Sequence, residues 1–267
     1  MTKFKLEETG NLTNAFFGGA KLALRFQSVL VLDCTYKTNK YKMPLLHFVG
    51  CTAFNSTFTI GYVFLSKEEI VDYTWAMNAL CECVVGYMPK LFVTDRERAL
   101  ISAIRNIYPS GNICICTWHI NKKILSHCKK LFTNGVEFEL FLKRWNSICF
   151  VATKEDYENE VTTLCLEFFE HPACQYVETT LLNEWKENFV AAWTNQFLHL
   201  GHVTSSRAES GHSMLKRFLS SSTGDLLQVF KCFHLALTQQ QNNIEVQWNI
   251  EKVKCLSNLP AVYKNFM

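Results

Sequence analysis

No apolar run in this 267-residue chain reaches the ~18 residues that a membrane-spanning helix needs, which excludes a helical transmembrane protein. The opening stretch, MTKFKLEETGNLTNAFFGG, has no apolar core ahead of a cleavage site, so a secretory signal is not expected. There is no low-complexity tract, no long Gly/Ser linker and no internal repeat, so the parts should pack on one another rather than hang on tethers. Charge of one sign is scarcely in excess: 27 Lys and Arg face 24 Asp and Glu, a net +3. That balance is compatible with nucleic acid but does not argue for it. A soluble, intracellular protein is the expectation.

What is present is apolar and aromatic. Hydrophobic residues make up 48% and charged ones 19%, a globular balance. The 21 Phe and 6 Trp point to an aromatic interior. Twelve cysteines are scattered through apolar stretches (Cys81, Cys149, Cys165, Cys232), where free Cys behaves as a small hydrophobe; most are expected to be reduced core residues.

The first half reads as α/β. SVLVLDCTY (28–36), LLHFVGCTA (45–53) and FTIGYVFL (58–65) are strand-like runs on short turns, which predicts an antiparallel meander. Ile70, Tyr73, Met77, Leu80 and Val84 recur at helical spacing, with Ser66 and Glu69 as a possible capping box. A short strand LFVTD (91–95), a helix over 96–107 and the run NICICTW (112–118) follow. The order βββαβαβ places the later strands parallel to the first. After His119 only helical periodicity remains, with Phe138, Phe141, Trp145 and Ile148 on one face and Leu181, Trp185 and Phe189 on another.

Three acids stand out. Asp33 interrupts an apolar strand, where an unpaired carboxylate is costly; a solvated edge or a buried ion pair is the competing reading. Asp95 ends a strand before a helix, a usual ligand position in open sheets and an equally usual N-cap, with Thr94 and Glu97 as a second capping box. Glu209 lies in SSRAESGHSMLKRFL, three residues after Ser206, so it could simply cap the helix 207–219. Lys216, two turns on, shares its face, which suits a metal beside a phosphate. Three converging carboxylates repel unless cations are present, and Mg²⁺ prefers such hard oxygen ligands.

The blocks LDCTYKTNKYKMPLL (32–46), FVTDRERAL (92–100), CTWHINKKI (116–124) and SSRAESGHSMLKRFL (205–219) together resemble the Mutator-like (MULE) transposase domain, including the far-red-impaired-response proteins derived from it. The resemblance implies an RNase H-like mixed sheet with an all-helical insertion before the last catalytic helix. It implies a DDE triad of Asp33, Asp95 and Glu209 holding Mg²⁺ or Mn²⁺. On this reading residues 1–25 are a lead-in, 26–132 the first part of the core, and 133–203 the insertion. The catalytic and C-terminal helices occupy 204–246, and 247–267 is a tail. The C-x-x-H signature falls on Cys116 and His119; packing of His119 and Trp118 at the strand-to-helix junction, where they position the helical insertion or the DNA, is preferred to zinc, which needs four ligands. The zinc modules of longer relatives are not evident, so an isolated or truncated catalytic domain is expected.

Lys37, Arg96, Arg98, Lys216 and Arg217 flank the acids and are candidate DNA contacts, against the plainer reading of solvated surface. The resemblance implies DNA, both terminal repeats and target, as partner, a second copy of the chain as a further candidate, no membrane, and a nuclear location. It also leaves open a domesticated relative that binds DNA or regulates transcription without catalysis, or an inactive copy.

Overall fold

Alternation along one strand sets the two faces of the sheet. In β3 (Val29–Thr35), Val29 and Val31 are buried on one side and Leu30 and Leu32 on the other, in separate apolar clusters. Asp33 shares the valine face. The structure is a computed structural model that describes residues 2–19, 21–218 and 224–258; the side chains of Met214, Arg217 and Phe218 and those of 255–258 lie outside the description.

β4 (Leu45–Cys51) and β5 (Thr57–Phe64) complete the antiparallel meander. β6 (Leu91–Thr94) and β7 (Asn112–Ile115) run parallel to β3 on its other side. The crossovers are α1 (Ile70–Cys83) and α2 (Arg98–Ile107). Residues expected as a lead-in instead form a hairpin, β1 (Thr2–Leu6) and β2 (Leu12–Gly18). It adds to β5 and completes a seven-stranded mixed sheet, ordered β1-β2-β5-β4-β3-β6-β7. Its turn carries Gly10 at φ 86, a left-handed conformation that Gly adopts readily.

Two expected capping boxes are not made. Ser66 donates its hydroxyl to Asp72 at 3.1 Å, and Glu69 begins α1 without a side-chain cap. At α2 the cap is Glu97, whose carboxylate accepts from the Ala99 N–H. The helix therefore starts two residues later than expected, and Asp95 is not its cap.

The run after β7 turns helical at once, with α3 (Thr117–Cys128). Then come α4 (Gly135–Phe150), α5 (Lys154–Glu167), α6 (Pro172–Val177), a π-turn at Glu178–Leu182, α7 (Asn183–Phe189) and α8 (Ala191–Thr194). Phe141, Trp145, Leu164, Trp185 and Phe189 of this block join one continuous core with Leu30 and Leu32. Asn188 of α7 donates to the Ile113 carbonyl at 2.9 Å, so a helix covers the edge strand β7.

The opposite face carries α9 (Ser206–Phe218) and α10 (Leu226–Asn258). Leu215 and Phe233 pack there against Phe17, Tyr62 and Phe64. α10 continues past residue 246 because Trp248 is held edge-on by Phe26, 5.6 Å between centroids, with the Arg25 guanidinium over its ring. Among the described residues no helix is long and apolar enough to cross a membrane.

Candidate functional site

The sheet brings the three acids to one cavity. Asp33 sits near the carboxyl end of β3, Asp95 directly follows β6, and Glu209 lies in the first turn of α9. They line a pocket of about 440 Å³ together with Glu68, Glu97, His119, His212 and Lys216. Parallel neighbours β3 and β6 place two of the acids side by side at their carboxyl ends, and α9 lies across the valine face of β3 and supplies the third.

Burial leaves Asp33 only 8% exposed and is the main reason its carboxyl is raised to about 7. His119 opposes that rise, while the negative charges of Asp95 and Glu209 add to it. Asp95 is raised as well, chiefly by burial, against the nearby His119 and Lys123. Glu209 does not fold back as a cap. Its Oε1 lies 3.6 Å from His119 Nε2, while the Ser206 hydroxyl pairs with Thr204 at 2.7 Å.

Behind Asp33 stands a histidine pair that sequence reading did not single out. His212 Nδ1 lies 3.6 Å from Asp33 Oδ2, and burial lowers His212 to about 4, so it is neutral. Its ring lies 5.2 Å from that of His47, which stacks on Tyr62 and pairs with Thr59 Oγ1 at 2.9 Å. The E-x-x-H spacing of Glu209 and His212, one helical turn, was the available signal. Glu68, also not foreseen, accepts from Tyr36 at 2.8 and 2.9 Å and from Tyr73 at 3.1 Å, and so ties the β3–β4 turn to α1.

Gly211 fits because His47 leaves no room. A Cβ there would lie 2.6 Å from His47 Cε1. Gly→Ala inside a helix ordinarily stabilises, but Gly211→Ala should destabilise by about 1–3 kcal/mol, read from a denaturant melt, because the pinned ring has nowhere to go.

The basic candidates divide. Lys216 lines the acid pocket. Lys37 is exposed on the β3–β4 turn at φ 59, outside the pocket lining. Arg96 donates to the Thr180 carbonyl at 2.5 Å, and Arg98 pairs with Glu184 at 2.5 Å beside the Trp185 ring, so both guanidinium groups bind the helical block. The Arg217 side chain lies outside the described residues. Trp193 is covered by Tyr157, Lys154 and Lys186, a packing role.

Cys116 and His119 meet at the mouth of α9. Burial pushes the Cys116 thiol up, but hydrogen bonding with His119 and Ser205 outweighs it and leaves it below its ordinary value. His119 is raised, first by its bonding to Cys116 and then by Asp33 and Asp95.

The donor set of the pocket is hard carboxylate oxygen, which fits Mg²⁺ or Mn²⁺. Among the described residues no three His, Cys, Asp or Glu side chains are gathered into a ready cage. The like charges crowding Asp33 are what a cation would relieve. Metal-free protein should therefore lose stability as pH rises. Asp33 keeps its proton to about pH 7 in the folded chain, whereas the unfolded chain releases it near 4. The penalty is absent below about pH 4 and complete above about 7, roughly 4 kcal/mol in size. Thermal melts in chelator should show this slope, Mg²⁺ should flatten it, and Asp33→Asn should make it shallower, leaving the part that Asp95 contributes.

Residues 29–123 match the MULE transposase domain. The chain is related to plant far-red-impaired-response-type proteins. Protein FAR-RED IMPAIRED RESPONSE 1 of Arabidopsis thaliana is 26% identical over 222 residues, covering 80% of this chain and 26% of that protein. Protein FAR1-RELATED SEQUENCE 5 of the same plant is 22% identical over 233 residues, covering 86% and 29%. Protein FAR1-RELATED SEQUENCE 4 is 30% identical over 95 residues, 36% of this chain and 13% of that one. The chain thus spans less than a third of the length of these relatives.

Proposed function

We propose that this chain is the catalytic part of a DDE-type transposase, cutting DNA strands at an element's ends and joining them to target DNA in a nucleus. The observation that carries the reading is the shared pocket: Asp33, Asp95 and Glu209 line one cavity although 62 (95 − 33) and 114 (209 − 95) residues separate them. The strand arrangement supports an RNase H-like core, since β3 is flanked by the meander on one side and by parallel β6 and β7 on the other. Asp33 and Asp95 would hold divalent metal with Glu209 completing the set. A divalent cation held there would supply Lewis-acid chemistry to an attacking water and to the phosphate. Lys216, on the same wall, is placed to hold a backbone phosphate as a point charge. The neutral ring of His212 packs 3.6 Å behind Asp33 Oδ2 and closes off that side of the carboxylate.

The test is nicking of terminal-repeat DNA with Mg²⁺ or Mn²⁺. Cleavage that disappears in Asp95→Asn supports the reading; cleavage that survives it refutes it. A second reading is a non-catalytic, DNA-bound regulator. Two observations favour it: the acids are not drawn into a cage, and the named relatives carry a far-red response in their names. It predicts DNA binding that is indifferent to Mg²⁺ and to all three acid substitutions.

A further inference from the structure

The seam between α3 and α9 is closed by a run of buried polar contacts. Cys116, at 0% exposure, receives the Ser205 N–H at 3.1 Å and the Ser205 hydroxyl at 3.3 Å. The same hydroxyl oxygen lies 3.1 Å from His119 Nδ1, and the far nitrogen of that ring, Nε2, lies 3.6 Å from Glu209 Oε1. At 3.6 Å this last contact is an ion-pair distance, too long for a hydrogen bond. Ser205 is the shared partner of the run, bonded to Cys116 Sγ through its N–H and its hydroxyl and to His119 Nδ1 through its hydroxyl oxygen. The ring of His119 therefore lies between Ser205, on its Nδ1 side, and Glu209, on its Nε2 side.

Ser205 is the residue on which α9 begins, because its carbonyl accepts from Ala208 N at 2.8 Å and Glu209 N at 3.1 Å. Next to it, Thr117 bonds the Val203 carbonyl through both its N–H and its hydroxyl, at 3.2 and 3.3 Å. The two ends of the helical excursion are thereby buttoned together. Fixing Ser205 fixes the rotation of the first turn. Ala208 then points into the valine-face core, and Glu209, about 100° further round, points at the pocket. A zinc role fits poorly, since both side chains are already engaged and no third metal-binding side chain joins them among the described residues.

We propose that Cys116 and His119 are positioning residues that lock the start of α9 to the end of β7 and so aim Glu209 at Asp33 and Asp95. The proposal rests on reading Glu209 as the third metal-holding acid, and its test has one arm that does not. In that arm, hydrogen exchange is followed by mass spectrometry on the full chain. Cys116→Ala and Ser205→Ala should speed exchange across 203–210 by tenfold or more, while Cys116→Ser, which keeps an acceptor, should restore protection. In the second arm, Mn²⁺ affinity is titrated by electron paramagnetic resonance. His119→Ala should weaken it 10–100-fold, as loss of a group supporting a metal ligand does, and His119→Gln should recover most of it.

Unchanged exchange in Cys116→Ala, or zinc bound by the purified wild type and lost from Cys116→Ala, overturns the lock. If Glu209→Gln weakens Mn²⁺ binding and His119→Ala does not, the aiming role fails while the metal site stands. If Glu209→Gln itself has no effect on Mn²⁺, the metal reading and the aiming role fall together, and the exchange arm still decides whether the lock exists.

Discussion

Asp33→Asn should reduce metal-dependent DNA nicking by roughly a thousandfold or more, while making the metal-free protein more stable. The two effects have one cause. Asp33 is buried among apolar strand residues and faces the charges of Asp95 and Glu209, so its carboxylate is held against its own preference. An amide of the same shape removes that repulsion. It also removes a hard anionic oxygen from the middle of the donor set, and metal chemistry contributes several kcal/mol to phosphodiester cleavage. A stability gain with loss of activity separates this account from a structural role for Asp33. A residue that merely held the fold together would lose both on substitution. Melting temperature in chelator and nicking rate in Mn²⁺, measured on one preparation, give the two readings.

Phe233→Ala should destabilise the fold by about 3–5 kcal/mol, and its effect should reach the site. Phe233 is fully buried between α10 and the sheet. It stacks on Tyr62 at 4.2 Å and on Phe64 at 5.9 Å, with Phe17 edge-on at 6.4 Å. The three rings around it are themselves held on strands β2 and β5. The same cluster includes Leu215 of α9, and Tyr62 is also the platform for His47. The cavity therefore opens beneath the helix that carries Glu209 and behind the histidine pair at Asp33. Chemical denaturation should show the loss. Protein that remains folded in dilute buffer should bind Mn²⁺ more weakly than wild type.

The middle of the sheet was legible because its strands carry two unambiguous signals. Val29 to Leu32 is a β-branched, apolar run, and the strand that follows is reached by a short polar turn. The parallel placement of β6 and β7 followed from the two helices that precede them. The N-terminal hairpin was not legible. Asn11, Thr13, Asn14 and Gly18 dilute its apolar residues, and the pairing that buries Phe16 and Phe17 is with β5, more than forty residues away. The capping boxes misled for a related reason. Ser66 found Asp72 in the folded chain, and Glu97 served α2 alone, so a local pattern lost to a contact made in three dimensions.

Within the site, Asp33 showed itself as an acid on an apolar strand face. The residues around it did not, since His47, Glu68 and His212 gain meaning only when β4, α1 and α9 converge. Arg96 and Arg98 show the opposite limit: basic residues beside an acid suggested phosphate, and the fold gives them a carbonyl and a carboxylate of the helical block. Cys116 and His119 were visible as a motif with no evident role. Their common partner, Ser205, lies 89 and 86 residues along the chain from them.

The most direct measurement is crystallography of the full chain in Mn²⁺, with anomalous scattering recorded at the manganese edge. The account predicts anomalous density in the acid pocket, contacted by oxygens of Asp33, Asp95 and Glu209. An empty pocket at saturating Mn²⁺, or manganese bound without Asp33, would contradict it.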